Sequence, residues 1–220
     1  MKILKLLFCL IFISCSSGRV LPKMVSKPIE FNDERKELSL KYLDEHYGIK
    51  KDVPEIEPKM IVIHWTEIKT LQESFDTFKP VHLSEKRNDI QSAGKLNVSA
   101  HYLVDRDGTI YRLMPETLMA RHVIGLNHLA IGIENVGGTV ETPLTDAQLK
   151  SNVFLVKYLS KKHPVEYVIG HYEYTLFIDH PFWLEKDNSY RTKKVDPGLK
   201  FMEELRRETK NLNLRPLPGN

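Results

Sequence analysis

The feature that most constrains the fold is a set of short apolar runs without polar alternation, separated by segments of helical pattern. Met60-Ile61-Val62-Ile63-His64-Trp65 is uninterrupted up to its histidine and rich in β-branched side chains. A strand with one wet face alternates apolar and polar residues, whereas a strand covered on both faces does not. This run therefore predicts a buried strand. Leu129 to Val136 (LAIGIENV), closed by Gly137-Gly138, and Val165 to Ile169, leading into Gly170-His171, predict two more. His101 to Val104 and Thr109 to Met114 flank Asp105-Arg106-Asp107-Gly108, where Asp-Gly marks a hairpin turn.

Helical patterns fill the spaces between these strands. Asp33-Glu34 precede Leu38, Leu40, Tyr42, Leu43 and Tyr47, and Gly48 is a stop. Leu71 to Phe78 reads as a helix and Val81 to Val98 as a polar loop. Thr145, with Gln148 three residues on, forms a capping-box pattern ahead of Leu149, Val153, Leu155, Val156 and Leu159, ending at Lys162. Leu199 to Lys210 makes the last helix. Strands interleaved with helices predict a single α/β domain with a central mixed sheet flanked by helices. With 220 residues, 41% of them hydrophobic, the chain has enough apolar material for one such core.

The first residues read as an address. Lys2 and Lys5 form a basic start, and Leu6 to Ile13 is a continuous apolar run of eight residues. Crossing the bilayer takes about 20 helical residues, so this run is not an anchor. A small residue, Ser14, precedes Cys15, and Ser16-Ser17-Gly18 follows. The segment resembles a bacterial lipoprotein signal in which Cys15 carries the lipid, with Phe12 where leucine is usual; an ordinary secretory signal with a chance cysteine is the alternative. Both cysteines, Cys9 and Cys15, fall here, so an exported domain would have no internal disulfide. The expected division is a signal over 1–14, a tether over 15–31, an N-terminal helical extension over 32–54, the main domain over 55–210 and a tail over 211–220. The formal charge of +3 falls nearly to neutral once Lys2 and Lys5 are removed, which argues against a nucleic-acid partner.

Metal-capable side chains stand at strand ends and in the loops that follow. His64 ends MIVIH, His171 ends YVIGH, and Asp196 lies in Lys193-Lys194-Val195-Asp196-Pro197-Gly198. Two imidazoles and a carboxylate suit a catalytic zinc that keeps one position open for water. Taken singly, each histidine reads as readily as a hydrogen-bonded structural residue. The alternation Ile131-Gly132-Ile133-Glu134 turns Glu134 away from the two isoleucines, toward solvent or a cleft. In a cleft it would act as a proton shuttle, and Lys194 as a cation beside an oxyanion; on a wet surface both are ordinary charged residues. Two histidines so far apart in sequence argue against a non-haem iron triad. His46, His82, His128 and His163 read as surface residues.

Five blocks in order, IVIHWT (61–66), VSAHYLVDRDGTIYRL (98–113), ARH...NH..IGIENVGG (120–138), VIGHYEY (168–174) and K.DPG (194–198), resemble the zinc-dependent N-acetylmuramoyl-L-alanine amidases of type 2. That family shares its fold with peptidoglycan recognition proteins and amidase-type phage lysozyme. The resemblance implies zinc ligands at His64, His171 and Asp196, Glu134 as general base and acid, and Lys194 stabilising the transition state. It implies hydrolysis of the amide between N-acetylmuramic acid and L-alanine by a zinc-activated water, with peptidoglycan or muropeptides as partner. A non-catalytic peptidoglycan-binding module is the alternative. His101, His122 and Asn127 fall in matching blocks and are candidate substrate contacts. The chain departs from the family at Arg121, at Tyr172-Glu173-Tyr174, and in the longer segment Thr175 to Thr192. The combined expectation is a monomeric, exported lipoprotein, held to a membrane through Cys15 and facing the periplasm.

Overall fold

The computed structural model describes residues 21–219, so the signal and Cys15 lie outside the described residues. Six strands form one mixed sheet: β1 (Met24–Ser26), β2 (Met60–Ile63), β3 (Tyr102–Val104), β4 (Ile110–Arg112), β5 (Ala130–Asn135) and β6 (Tyr167–Gly170). Their order is β1-β4-β3-β5-β2-β6. β3, β5, β2 and β6 run parallel, β4 is antiparallel to β3, and β1 is parallel to β4. β2 is therefore paired on both sides, with Ile61 beside Ile131 of β5 and Val168 of β6. All four of its residues are buried, as the absence of alternation in MIVI requires.

Helices cover both faces. Ile61, Ile63, Ile131, Ile133 and Val168 pack against Leu155, Val156 and Leu159 of α3 (Asp146–Lys162) and Met202 and Leu205 of α4 (Leu199–Thr209). The alternate residues Met60, Val62, Ala130 and Ile169 meet Tyr42, Leu43 and Tyr47 of α1 (Asp33–Tyr47). α2 (Leu71–Phe78) adds Phe75 and Phe78 to a third cluster with Ile29, Leu103 and Val136. Asn32 caps α1, its side chain accepting from the Arg35 N–H, and Gly48 closes it at φ 70°. Thr145 and Gln148 form the reciprocal box at the start of α3. Among the described residues no helix is long and apolar enough to cross a membrane.

The expected divisions differ from the fold in three places. Residues 15–31 are not all tether: Met24–Ser26 is an edge strand and Ile29 is buried against the third cluster. Three residues are too few to carry a periodicity of their own, and their pairing with β4 is long-range. The helix within 32–54 is part of the core, because Tyr42, Leu43 and Tyr47 cover the central strands. The C-terminal segment folds back, with Leu212 and Leu214 against the second cluster and the Arg215 N–H donating to Glu166. Within the polar loop Val81–Val98, a short 3-10 turn covers Gln91–Ala93 and a bridge joins His82 to Leu96.

Candidate metal centre

The site lies beyond the carboxyl ends of the parallel strands, on the face carrying Met60, Val62, Ala130 and Ile169. His64 follows the last residue of β2, and its backbone is clamped: its N–H donates to Ile133 (2.8 Å), and its carbonyl accepts from the Asn135 backbone N–H (3.1 Å) and Nδ2 (2.9 Å). Asn152 of α3 donates in turn to the Asn135 side-chain oxygen (2.7 Å). His171 follows β6, where the Glu173 carboxylate accepts the Gly170 N–H at 2.8 Å and is paired with Arg206. Asp196 comes from the loop before α4, which is tied to the same strand end by the Tyr172 N–H donating to the Asp196 carbonyl (3.1 Å).

Folding brings these distant residues together. His64 Nδ1 is 3.0 Å from His171 Nδ1 and 3.2 Å from Asp196 Oδ2, and His171 Nδ1 is 3.0 Å from the same oxygen. All three residues are buried. Each ring N–H points along one line and an ionised carboxylate has no proton, so no placement of ring protons satisfies all three contacts at once. A cation between the three atoms does. Ligands about 2.0–2.1 Å from a tetrahedral zinc sit about 3.3 Å from one another, close to the observed separations. The donor set therefore fits a zinc-type ion.

Ionisation states suit the same role. Burial, with His64 beside it, lowers the His171 pKa to about 4, leaving the ring neutral with a lone pair to give. Burial alone would raise the Asp196 carboxyl, but His171 and His64 outweigh it and hold the group well below the usual carboxylate range. Glu134 behaves in the opposite way: burial first, and then the Asp196 charge, push its pKa well above the ordinary value, while Lys194 and Arg87 oppose the shift. Its Oε2 is buried without a hydrogen-bond partner. Such an atom is expensive to keep, and a proton acceptor waiting for substrate is one reason to keep it.

Glu134 and the triad line a cleft of about 530 Å³, together with Lys194, Trp65, Tyr42 and Arg121. Lys194 is half-buried and faces the cleft, so it is not simply half of an exposed basic pair. The three candidate substrate contacts have internal partners. His101 is fully buried and absent from the cleft wall; its Nε2–H donates to the Leu118 carbonyl (2.9 Å) and its Nδ1 accepts the Gly132 N–H (3.0 Å). Asn127 lines the cleft, but its Oδ1 accepts the backbone N–H groups of His122 and Val123, both at 2.8 Å, and its Nδ2 donates to Tyr47 (2.9 Å). His122 lines the cleft and contacts His64, with 3.0 Å between His122 Nδ1 and His64 Nε2. Burial, and then His64, lowers its pKa well below the ordinary histidine value.

Tyr42 and Arg121 are among the cleft residues that sequence reasoning did not place there. Tyr42 comes from α1, and Arg121 is buried with its guanidinium donating to Ile90, Gly94, Leu96 and the Tyr190 hydroxyl. The departure from the family pattern at Arg121 was the available signal, since a buried guanidinium must find several acceptors. Of the histidines read as surface residues, only His82 is exposed; His46 meets the buried Glu185 at 2.9 Å and His163 approaches the buried Glu116.

Comparison with known proteins agrees with this geometry. The model of the family described as N-acetylmuramoyl-L-alanine amidase matches residues 54–199. Peptidoglycan recognition protein 3 of Mus musculus is 29% identical over 99 residues, 45% of this chain and 28% of that protein. The endolysin of Escherichia phage T7 is 31% identical over 98 residues, 42% of this chain and 65% of that protein. The chain thus spans less than two thirds of the length of either relative. The solved structure of N-acetylmuramoyl-L-alanine amidase LysC from Clostridium intestinale URNW has the same fold, with a TM-score of 0.51 at 23% identity, covering 88% of this chain and 99% of that one. A family match that spans well over half of the residues, over the segment that carries the His-His-Asp cluster, places this chain in the N-acetylmuramoyl-L-alanine amidase family.

Proposed function

We propose that this protein is a zinc-dependent hydrolase of the amide joining the lactyl group of N-acetylmuramic acid to L-alanine in peptidoglycan or its fragments. The observation that carries the reading is the convergence of His64 Nδ1, His171 Nδ1 and Asp196 Oδ2 beside a buried, unpartnered Glu134 carboxylate. His64, His171 and Asp196 would hold the ion. When bound, zinc supplies a Lewis acid that polarises the scissile carbonyl and lowers the pKa of water.

The chain's own groups do the rest. Glu134, with its raised proton affinity, takes a proton as water adds to the carbonyl carbon. The Lys194 ammonium faces the same cleft and offsets negative charge on the former carbonyl oxygen. Glu134 then returns the proton to the alanine nitrogen as the C–N bond breaks, leaving a carboxylic acid on the sugar side and a free amine on the peptide. Burial of the triad and of Glu134 limits access of competing solvent.

A binding-only reading draws on the mouse relative, whose name speaks of recognition alone. The filled set of proposed ligands, base and cation favours turnover instead. The deciding measurement is mass spectrometry of stem peptides released from purified peptidoglycan. Zinc-loaded protein should release them, chelation should stop the release and zinc should restore it. Glu134→Gln should keep zinc while release falls ~10²–10⁴-fold. A Glu134→Gln protein as active as the parent removes Glu134 from the mechanism, and zinc-loaded parent that binds peptidoglycan without releasing peptide leaves the binding-only reading.

A further inference from the structure

Among the described residues, His122 is the one imidazole in direct contact with the proposed zinc ligands that is not itself in the triad. Its two nitrogens have different partners. Nε2 is 3.1 Å from the carbonyl oxygen of Ala130, and Nδ1 is 3.0 Å from His64 Nε2. A carbonyl only accepts, so the proton of a neutral His122 belongs on Nε2. Nδ1 then presents a lone pair, and His64 Nε2 must be the donor. With its proton fixed on Nε2, His64 keeps its Nδ1 lone pair for the point where His171 Nδ1 and Asp196 Oδ2 converge.

We propose that His122 is a positioning residue rather than a substrate contact: it locks His64 in the Nε2–H tautomer through a relay that ends on the Ala130 carbonyl. The terminus matters. A ligating histidine usually donates its free N–H to a carboxylate, a carbonyl or water. Here a second, neutral imidazole is interposed, and its far end rests on a backbone group that does not titrate. The polarity of the chain is therefore fixed by the β5 backbone.

The surrounding sequence is built to hold this ring. Its plane stands at 90° to that of His64. The His122 N–H is held by Asn127 Oδ1, which is itself fixed through Tyr47 of α1. On the other side, a Cβ at position 132 would lie 2.8 Å from His122 Cγ, so only glycine lets the ring lie against β5. Below Gly132, His101 accepts its N–H and orders the strand that the relay ends on.

The inference rests on the zinc reading of the site, but its test needs no substrate. In metal-free full-length protein with ¹⁵N-labelled histidine, long-range ¹H–¹⁵N correlation should show His64 and His122 both protonated on Nε2. Competition with a zinc chelator should then show affinity falling ~10–100-fold in His122→Phe, which keeps a ring but no polar atoms. His122→Gln, whose amide both accepts and donates, should recover most of that loss. His64 protonated on Nδ1 in the parent, or zinc bound by His122→Phe as tightly as by the parent, overturns the proposal. If the parent releases no stem peptide while the Phe and Gln variants still separate in zinc affinity, the hydrolase reading fails and the relay stands.

Discussion

His101 and Glu134 are both buried titratable residues of the same region, and their roles differ because one is satisfied and the other is not. His101 has a donor and an acceptor engaged by backbone, which fits a structural part, whereas Glu134 Oε2 has no partner, which fits a reacting group. The neutral state of His101 has a consequence for stability. Burial lowers its pKa from 6.5 to about 4 and does the same to His128. Between those values the unfolded chain takes up the protons first, so stability is whole above pH 6.5 and drains as pH falls toward 4. Each ring contributes up to about 3 kcal/mol to this loss. Urea midpoints of metal-free protein should therefore drop steeply over that range. His101→Gln should start lower at pH 7 and decline less; a parallel decline would show that His101 does not carry the pH dependence.

At the scale of elements, β5 joins packing to chemistry. Ile131 and Ile133 fill the core against α3 and α4, while on the opposite face Gly132 leaves room for the His122 ring and Glu134 lines the cleft. The period of two was readable in IGIE, and so was the turn of Glu134 away from the isoleucines. The reason for glycine at 132 was not readable, because it is the ring of His122, ten residues upstream, that occupies the space. Gly132→Ala should displace that ring, with about 1–3 kcal/mol lost in stability and weaker zinc binding. Calorimetry with chelator competition checks both: wild-type zinc affinity in a folded Gly132→Ala protein would mean the ring tolerates the methyl. The capped helices show the opposite case. Asn32 and Thr145 act within a few residues of themselves, so local pattern placed α1 and α3 nearly to the residue.

On the scale of the whole molecule, the sheet is completed from its N-terminal edge. β1 pairs with β4, and Ile29 fills the cluster shared by α2 and β3. The reference for a truncation test is a protein that begins at Leu21, the first described residue. Removing 1–31 exposes the edge of β4 and empties the Ile29 site, at about 2–4 kcal/mol, which corresponds to a fall of ~5–10 °C. Equal melting temperatures for the two truncations would show that β1 contributes nothing to stability. The same long-range logic explains α1: residues read as an extension hold Asn127 through Tyr47 and wall the cleft with Tyr42.

The sequence alone determined whatever depends on neighbours in the chain: buried strands from unbroken β-branched runs, helix starts from Asp33-Glu34 and Thr145, the Asp-Gly hairpin, and three metal-capable side chains at strand ends or in the loops after them. Tertiary structure alone decided which of those side chains meet, that the short Met24–Ser26 segment is a strand, and which internal partners His101, His122 and Asn127 bond to. The division is physical. Periodicity and capping are set by bonds between residues a few positions apart, whereas a tautomer, an orphaned carboxylate or a gap for a ring is set by atoms that come within reach only after the sheet has assembled.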